Sequence, residues 1–261
     1  MTRRAAVLSL SILACPTLSR AQEAPRVAEA AMLGHGGWNL GWVGVGAGLA
    51  LGGVAIQPRT DAHVAPLDGG GHRPWNADVG TVTDVILWGG LGASFAAGFA
   101  VERFGNGARG WEVIRAPAVL SEAALMSLGF VSMTKSLGSV CRPRAWSDAR
   151  GACESDEVDD RRAFPSGHTA PLAAMAGASM GLWLFPSRPQ HAFAPLFAAT
   201  VALAGSNMAL RVVAGAHSWV DTTVGFTGGF ALGLATAALH TRRVHLGPAV
   251  AGTGLSLSGT W

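Results

Sequence analysis

Five stretches of this chain, Val85–Val101, Ala116–Thr134, Thr169–Phe185, Ala192–Leu210 and Thr222–Leu239, are apolar around their whole circumference. A helix that faces water shows a polar side; one apolar all round is either deeply buried or in lipid. Each stretch has roughly the length that crosses a bilayer, about 20 residues. The reading is an all-α fold, a helical bundle of about five or six apolar transmembrane helices. The possible sixth, Trp38–Ile56, carries no charge but is crowded with Gly. It reads either as a membrane helix or as a surface-lying segment. Composition points the same way: hydrophobic residues make up 49% and charged ones 13%, against about 25% charged in a soluble domain. The 36 glycines suit closely packed membrane helices. A net charge of +3 is too small to argue for a nucleic-acid partner.

The N-terminus begins Met1-Thr2-Arg3-Arg4, continues apolar from Ala5 to about Leu18, and reaches Ser19-Arg20-Ala21. A positive start, a short apolar run and a small-x-small site read as an export signal cut after Ala21. An uncleaved anchor is the alternative; lipidation at Cys15, after Leu13-Ala14, is a third option. Residues 1–21 are thus a signal peptide or N-terminal anchor. Residues 22–80 hold the Gly-rich stretch and a loop, in which His63 and His72 read as solvated. The helical domain covers 81–245, and 246–261 form a tail. There Leu255 and Leu257 alternate with Ser, a short β-like pattern, but a loose tail is the expectation. With the signal removed, Cys141 and Cys153 remain, and an even count in an exported chain permits one disulfide between them.

Three short stretches carry the candidate chemistry. The first is Lys135-Ser136-Leu137-Gly138-Ser139-Val140-Cys141-Arg142-Pro143. The second is Phe164-Pro165-Ser166-Gly167-His168, and the third runs from Arg211 through His217 to Asp221. Lys135 is the single lysine among the 19 basic residues. Lys135, Arg142 and Arg211 offer three cations; Arg makes forked contacts with phosphate oxygens and Lys acts as a compact point charge. Ser166 and Gly167 precede an apolar run, where freed backbone N–H groups at a helix start favour anions. His217 and Asp221 stand four apart, so on a helix they share a face.

In order and spacing these stretches resemble the signature of the type 2 phosphatidic acid phosphatase and vanadium haloperoxidase superfamily. That signature is Lys-x6-Arg-Pro, then Pro-Ser-Gly-His, then Ser-Arg-x5-His-x3-Asp. One position departs: Leu210 stands where the family usually has serine. The resemblance implies that His217 attacks phosphorus to give a phosphohistidine, with Asp221 orienting it. It implies that His168 protonates the leaving oxygen and then helps to activate water. It further implies that Lys135, Arg142, Ser166, Gly167 and Arg211 cradle the phosphate. No metal or other cofactor is required; vanadate is expected as a phosphate mimic. The missing serine hydroxyl should tune the rate rather than remove the reaction.

Charged residues elsewhere receive structural readings. Glu122, inside an apolar segment, is expected to pair with another helix. Asp84, at the start of its segment, is a charge favourable to the helix dipole. Residues 144–163, with Asp159 and Asp160 among their acids, read as a solvated loop that begins and ends at the site. Such a loop is also placed to screen substrates or shield the cations.

The first functional reading is a metal-independent phosphatase acting on a lipid phosphate or pyrophosphate in a membrane. The alternatives are a soluble periplasmic acid phosphatase, a haloperoxidase with vanadate as its cofactor, and a non-catalytic membrane protein. The stretch with Arg103, Arg109 and Arg115, the turn with Arg188, and Arg242-Arg243 fall on the face opposite the motifs. Arg-rich connections belong on the cytoplasmic side. The expected location is therefore a bacterial-type inner membrane with the site facing the periplasm.

Overall fold

The computed structural model describes residues 64–69, 71–186 and 190–240, the isolated Gly48, and the backbone of strands 244–248 and 255–259. The leader 1–21, the Trp38–Ile56 segment apart from Gly48, His63, Arg188 and Arg242-Arg243 lie outside the described residues.

Among the described residues the chain forms five α-helices: α1 (Ala77–Ala100), α2 (Arg115–Gly138), α3 (Thr169–Leu184), α4 (Ala194–Val213) and α5 (Trp219–His240). Among the described residues four helical stretches are long and apolar enough to cross a membrane: Ala77–Gly105, Glu112–Gly138, His191–Val213 and Trp219–His240. On α1 a stripe of large apolar side chains, Val82, Val85, Trp88, Phe95 and Phe99, is exposed. In water such a stripe is costly; in lipid it is the expected outer face.

The third apolar segment differs from the reading as a span. Helix α3 has 16 residues, about 24 Å at 1.5 Å per residue, short of a hydrocarbon core of about 30 Å. Nearly all of it from Thr169 to Leu182 is buried, and it packs against the other four helices. It is apolar all round because it is the centre of the bundle.

The α3–α5 pair is the closest, and glycine makes it so. Gly225, Gly229 and Gly233 recur every four residues on α5. A methyl at these positions would run into the carbonyl oxygens of Ser166, Ala170 and Ala174, and one at Gly177 into that of Phe230. Small residues at this spacing let membrane helices approach backbone to backbone. Because Ser166 lies just before α3, the same seam sets the second motif against the third.

Helix α1 starts at Ala77, two turns earlier than the apolar pattern implies. Asn76 caps it, its side chain accepting from Val79 N at 3.1 Å. Asp84 consequently lies inside the helix rather than at its start. Glu122 finds the expected partner on another helix: His240 Nε2 donates to its Oε2 at 2.6 Å. At the same end of the bundle Arg115 Nε donates to the buried Glu102 at 2.9 Å.

Two polar stretches are more ordered than expected. In residues 144–163, β1 (Trp146–Ser147) pairs antiparallel with β2 (Ala152–Cys153), and a 3₁₀ turn covers Val158–Arg161. The predicted Cys141–Cys153 disulfide is present. Cys141, Ala145 and Cys153 form a small buried cluster, and Asp160 is buried against Arg144, which donates at 2.7 Å. The stretch is a folded flap, held by the disulfide and this ion pair, while most of its acids, Asp148, Glu154, Asp156, Glu157 and Asp159, stay exposed to solvent as expected. The tail also departs from expectation. β3 (Val244–Pro248) and β4 (Leu255–Gly259) pair antiparallel, with Leu246 opposite Leu257. The Leu/Ser alternation of β4 meets a partner strand that it could not reveal alone.

Candidate active site

The chain order of the helices brings the three motifs to one end of the bundle. Lys135 is in the last turn of α2, His168 immediately precedes α3, Arg211 is in the last turn of α4, and His217 stands two residues before α5. A Cβ placed on Gly167 would lie 3.8 Å from Lys135 Nζ, so the ammonium sits beside that glycine. Ser166 is fully buried; its N–H donates to Asp221 O at 3.0 Å, and its hydroxyl lies 3.2 Å from Thr169 Oγ1.

Between α4 and α5 the chain reverses at Gly215, whose φ of +73° lies in the region that favours glycine. This turn presents His217. Its backbone N–H and that of Ala216 both donate to Arg211 O, at 3.3 and 3.1 Å, which ties the histidine to the arginine of the same motif. His217 lies outside α5, so the expected same-face pairing on a helix does not describe its relation to Asp221. Ser218 and Asp221 form a reciprocal capping box instead. Ser218 N donates to Asp221 Oδ2 at 2.8 Å and Asp221 N donates to Ser218 Oγ at 3.1 Å. Asp221 Oδ2 also stands 3.6 Å from His217 Nδ1, beyond hydrogen-bond length. Both residues are fully buried, and among the described residues His217 Nδ1 has no hydrogen-bond partner.

The other imidazole nitrogen faces the cations. His217 Nε2 lies 3.4 Å from Arg142 Nη1. Burial, together with Arg142, Lys135, Arg211 and His168, holds the His217 ring well below the usual imidazole range. It is therefore neutral, and its Nε2 lone pair is turned toward Arg142.

His168 reaches an acid from outside the motifs. Asp84 Oδ1 on α1 accepts from His168 Nε2 at 2.8 Å and stands 3.6 Å from Arg211 Nη1. Burial and the Arg211 charge outweigh that carboxylate, pushing His168 down to about 4. Arg211 Nη1 also donates to Thr83 Oγ1 at 3.0 Å, and Asn207 Nδ2 to Thr83 O at 2.8 Å. Helix α1 thus braces the third motif close to the position where Leu210 replaces the family serine.

Arg142 is buried, with its N–H groups directed to named acceptors. Its Nε donates to Asp159 O at 2.9 Å, its Nη1 to Ala216 O at 3.2 Å, and its Nη2 to Asp159 Oδ1 and Oδ2 at 2.9 and 2.8 Å. Burial raises the Asp159 carboxyl, but Arg142 and Lys135 outweigh it and hold the group below its ordinary value.

All eight residues singled out in the motifs, Lys135, Arg142, Ser166, Gly167, His168, Arg211, His217 and Asp221, thus gather at one end of the bundle. His72 is not among them; its Nδ1 lies against Trp146 O at 3.1 Å, on the 144–163 stretch. Motif reading overlooked Thr83, Asp84 and Asp159. For Asp84 the signal was an acid bordering an apolar run, which the early start of α1 turns into an acid within the bundle.

The family model of the PAP2 superfamily matches residues 117–245. Over that range the chain is similar to the PAP2 superfamily. Neither a curated relative nor a solved structure matches the chain. The matched range takes in the three motifs, nearly all of helix α2, and helices α3 to α5. Helix α1, with Thr83 and Asp84, lies before it.

Proposed function

We propose that this chain is a PAP2-type, metal-independent phosphatase that hydrolyses a lipid phosphate or pyrophosphate through a phosphohistidine. The observation that carries the reading is the neutral His217, whose Nε2 faces Arg142 within a group of three cations. A phosphoryl group carries charge on several oxygens, and its transfer is catalysed mainly by positioning and fixed positive charge. Lys135, Arg142 and Arg211 supply that charge, while the Ser166 hydroxyl and Gly167 N–H complete the cradle. No metal is needed for this role.

In the first step His217 Nε2 donates its electron pair to phosphorus as the bond to the leaving oxygen breaks. His168, which takes up a proton as the substrate dianion binds, gives that proton to the leaving oxygen. Asp221, on the Nδ1 side, stabilises the positive imidazole that forms. In the second step His168 takes a proton from water, the water oxygen attacks phosphorus, and the P–N bond breaks to release phosphate and regenerate neutral His217. Vanadate, with the shape of phosphate, occupies the same cradle.

The lipid substrate is supported by the apolar outer face of α1 and by four helices of spanning length. Arg103, Arg109 and Arg115 lie at the end of the bundle opposite the motifs, which favours a periplasmic site by the positive-inside rule. An alkaline phosphatase fusion after Arg243 should be inactive; an active one would overturn this orientation. The activity test is phosphate release from a panel of lipid phosphates and pyrophosphates in detergent. Release should persist in EDTA and stop with orthovanadate. Loss in EDTA that zinc or magnesium restores would overturn the metal-free reading.

A further inference from the structure

Arg142 has no N–H to spare. A guanidinium carries five such donors, and in this chain they point at Asp159 O, both Asp159 carboxylate oxygens, Ala216 O and His217 Nε2. Bidentate contact with two oxygens is what an arginine offers a phosphate. The Asp159 carboxylate presents two oxygens to Arg142 Nη2 and so takes up donors that a bound phosphate would need.

Exposure shows which partner is the movable one. The Arg142 side chain is 4% exposed and that of Asp159 65% exposed. The guanidinium is fixed inside, and the carboxylate lies on it from the solvent side. Asp159 belongs to the 3₁₀ turn Val158–Arg161 of the flap that the Cys141–Cys153 disulfide holds. A second cation is close: Arg144 Nη2 stands 3.8 Å from Asp159 Oδ2, while already holding Asp160. The side chain can therefore leave Arg142 and remain beside positive charge.

We propose that Asp159 is a specificity-determining gate on Arg142, which admits dianionic phosphomonoesters or pyrophosphates and turns away monoanionic phosphodiesters. The inference rests on the phosphatase reading above. Opening the gate exchanges one carboxylate for the incoming anion. A phosphomonoester dianion brings twice the charge of the carboxylate to Lys135, Arg142 and Arg211, so the exchange favours it. A diester brings only the charge that Asp159 already supplies, and gains little from displacing it. Asp159 also keeps the buried cations compensated when no substrate is bound, since an unpaired buried charge is costly.

The test uses the full chain in detergent, with orthophosphate binding measured by calorimetry. Turnover of p-nitrophenyl phosphate and of bis(p-nitrophenyl) phosphate is measured in parallel. Asp159→Asn should bind orthophosphate about tenfold more tightly than wild type, and its preference for monoester over diester should narrow. Asp159→Glu, which keeps the charge, should keep the preference, and Asp159→Ala should repeat the Asn result if that variant fails to fold. Orthophosphate affinity unchanged or weakened in the neutral variants would overturn the gate and make Asp159 a support for Arg142. A wild-type chain that binds no orthophosphate and cleaves neither ester would overturn the phosphatase reading, and the gate with it.

Discussion

Asp84 Oδ1 lies 2.8 Å from His168 Nε2, joining the first helix to the turn that starts the third. The same oxygen stands 3.6 Å from Arg211. One carboxylate therefore orients the proposed proton donor while facing one of the phosphate-binding cations. With Nε2 committed to Asp84, Nδ1 is the nitrogen left to carry the transferred proton in the proposed mechanism, once the bound dianion has charged the ring.

Asp84→Asn should lower kcat about tenfold, less than the roughly 10²–10⁴ that a general acid itself supplies, with a smaller change in KM. The readout specific to orientation is the pH profile of kcat, whose acidic limb should move. A profile of unchanged shape with a uniformly reduced rate would make Asp84 a packing residue only.

His217→Ala should abolish turnover, about a thousandfold or more by analogy with other nucleophile deletions. His168→Ala should be severe yet leave a phosphoenzyme that accumulates, because attack by His217 survives better than hydrolysis. Acid-labile label from ³²P-substrate, present in His168→Ala and absent in His217→Ala, checks both. Near-normal rates in His217→Ala would refute the phosphohistidine route.

Both histidines titrate below their ordinary range, His168 at about 4. Between pH 6.5 and that value an unfolded chain binds protons that the folded chain does not. The stability from keeping these rings neutral is full above about pH 6.5 and is lost as pH falls toward 4. The melting temperature of wild type should fall more between pH 7 and 5 than that of His168→Gln. A bound phosphate dianion supplies the negative charge that neutral His168 lacks, so its binding should take up protons in this window. Equal orthophosphate binding enthalpies in buffers of different ionisation enthalpy would contradict that.

The Cys141–Cys153 bridge closes a loop with a sequence separation of 12, for which the chain-entropy model gives about 3 kcal/mol. A Cys141→Ser, Cys153→Ser double variant should melt at lower temperature. It should also lose monoester preference, because the flap that carries Asp159 loses its tether. Unchanged melting would show that the flap is held by Arg144–Asp160 and its neighbours alone.

Much of this architecture is legible along the chain. Segments apolar on every side leave helices in a bundle as the economical solution, and each motif spacing lies within a single turn and helix end. What local pattern cannot convey is which apolar helix is innermost. α3 and its neighbours read alike, and only the Gly225–Gly229–Gly233 seam, pressed on the carbonyls of Ser166, Ala170 and Ala174, makes α3 the core. Asp84 read as a helix-start charge because the start depends on an Asn76 cap outside the apolar run. His217 and Asp221 have helical spacing, yet a capping box places the histidine ahead of the helix. The Arg142–Asp159 pair stayed hidden for a different reason. Acids in a charged stretch look interchangeable until a disulfide and a buried ion pair select the one that lies on the guanidinium. Chain-local signals specify helices and motif chemistry, whereas contacts between residues far apart in the chain form only when the whole bundle closes.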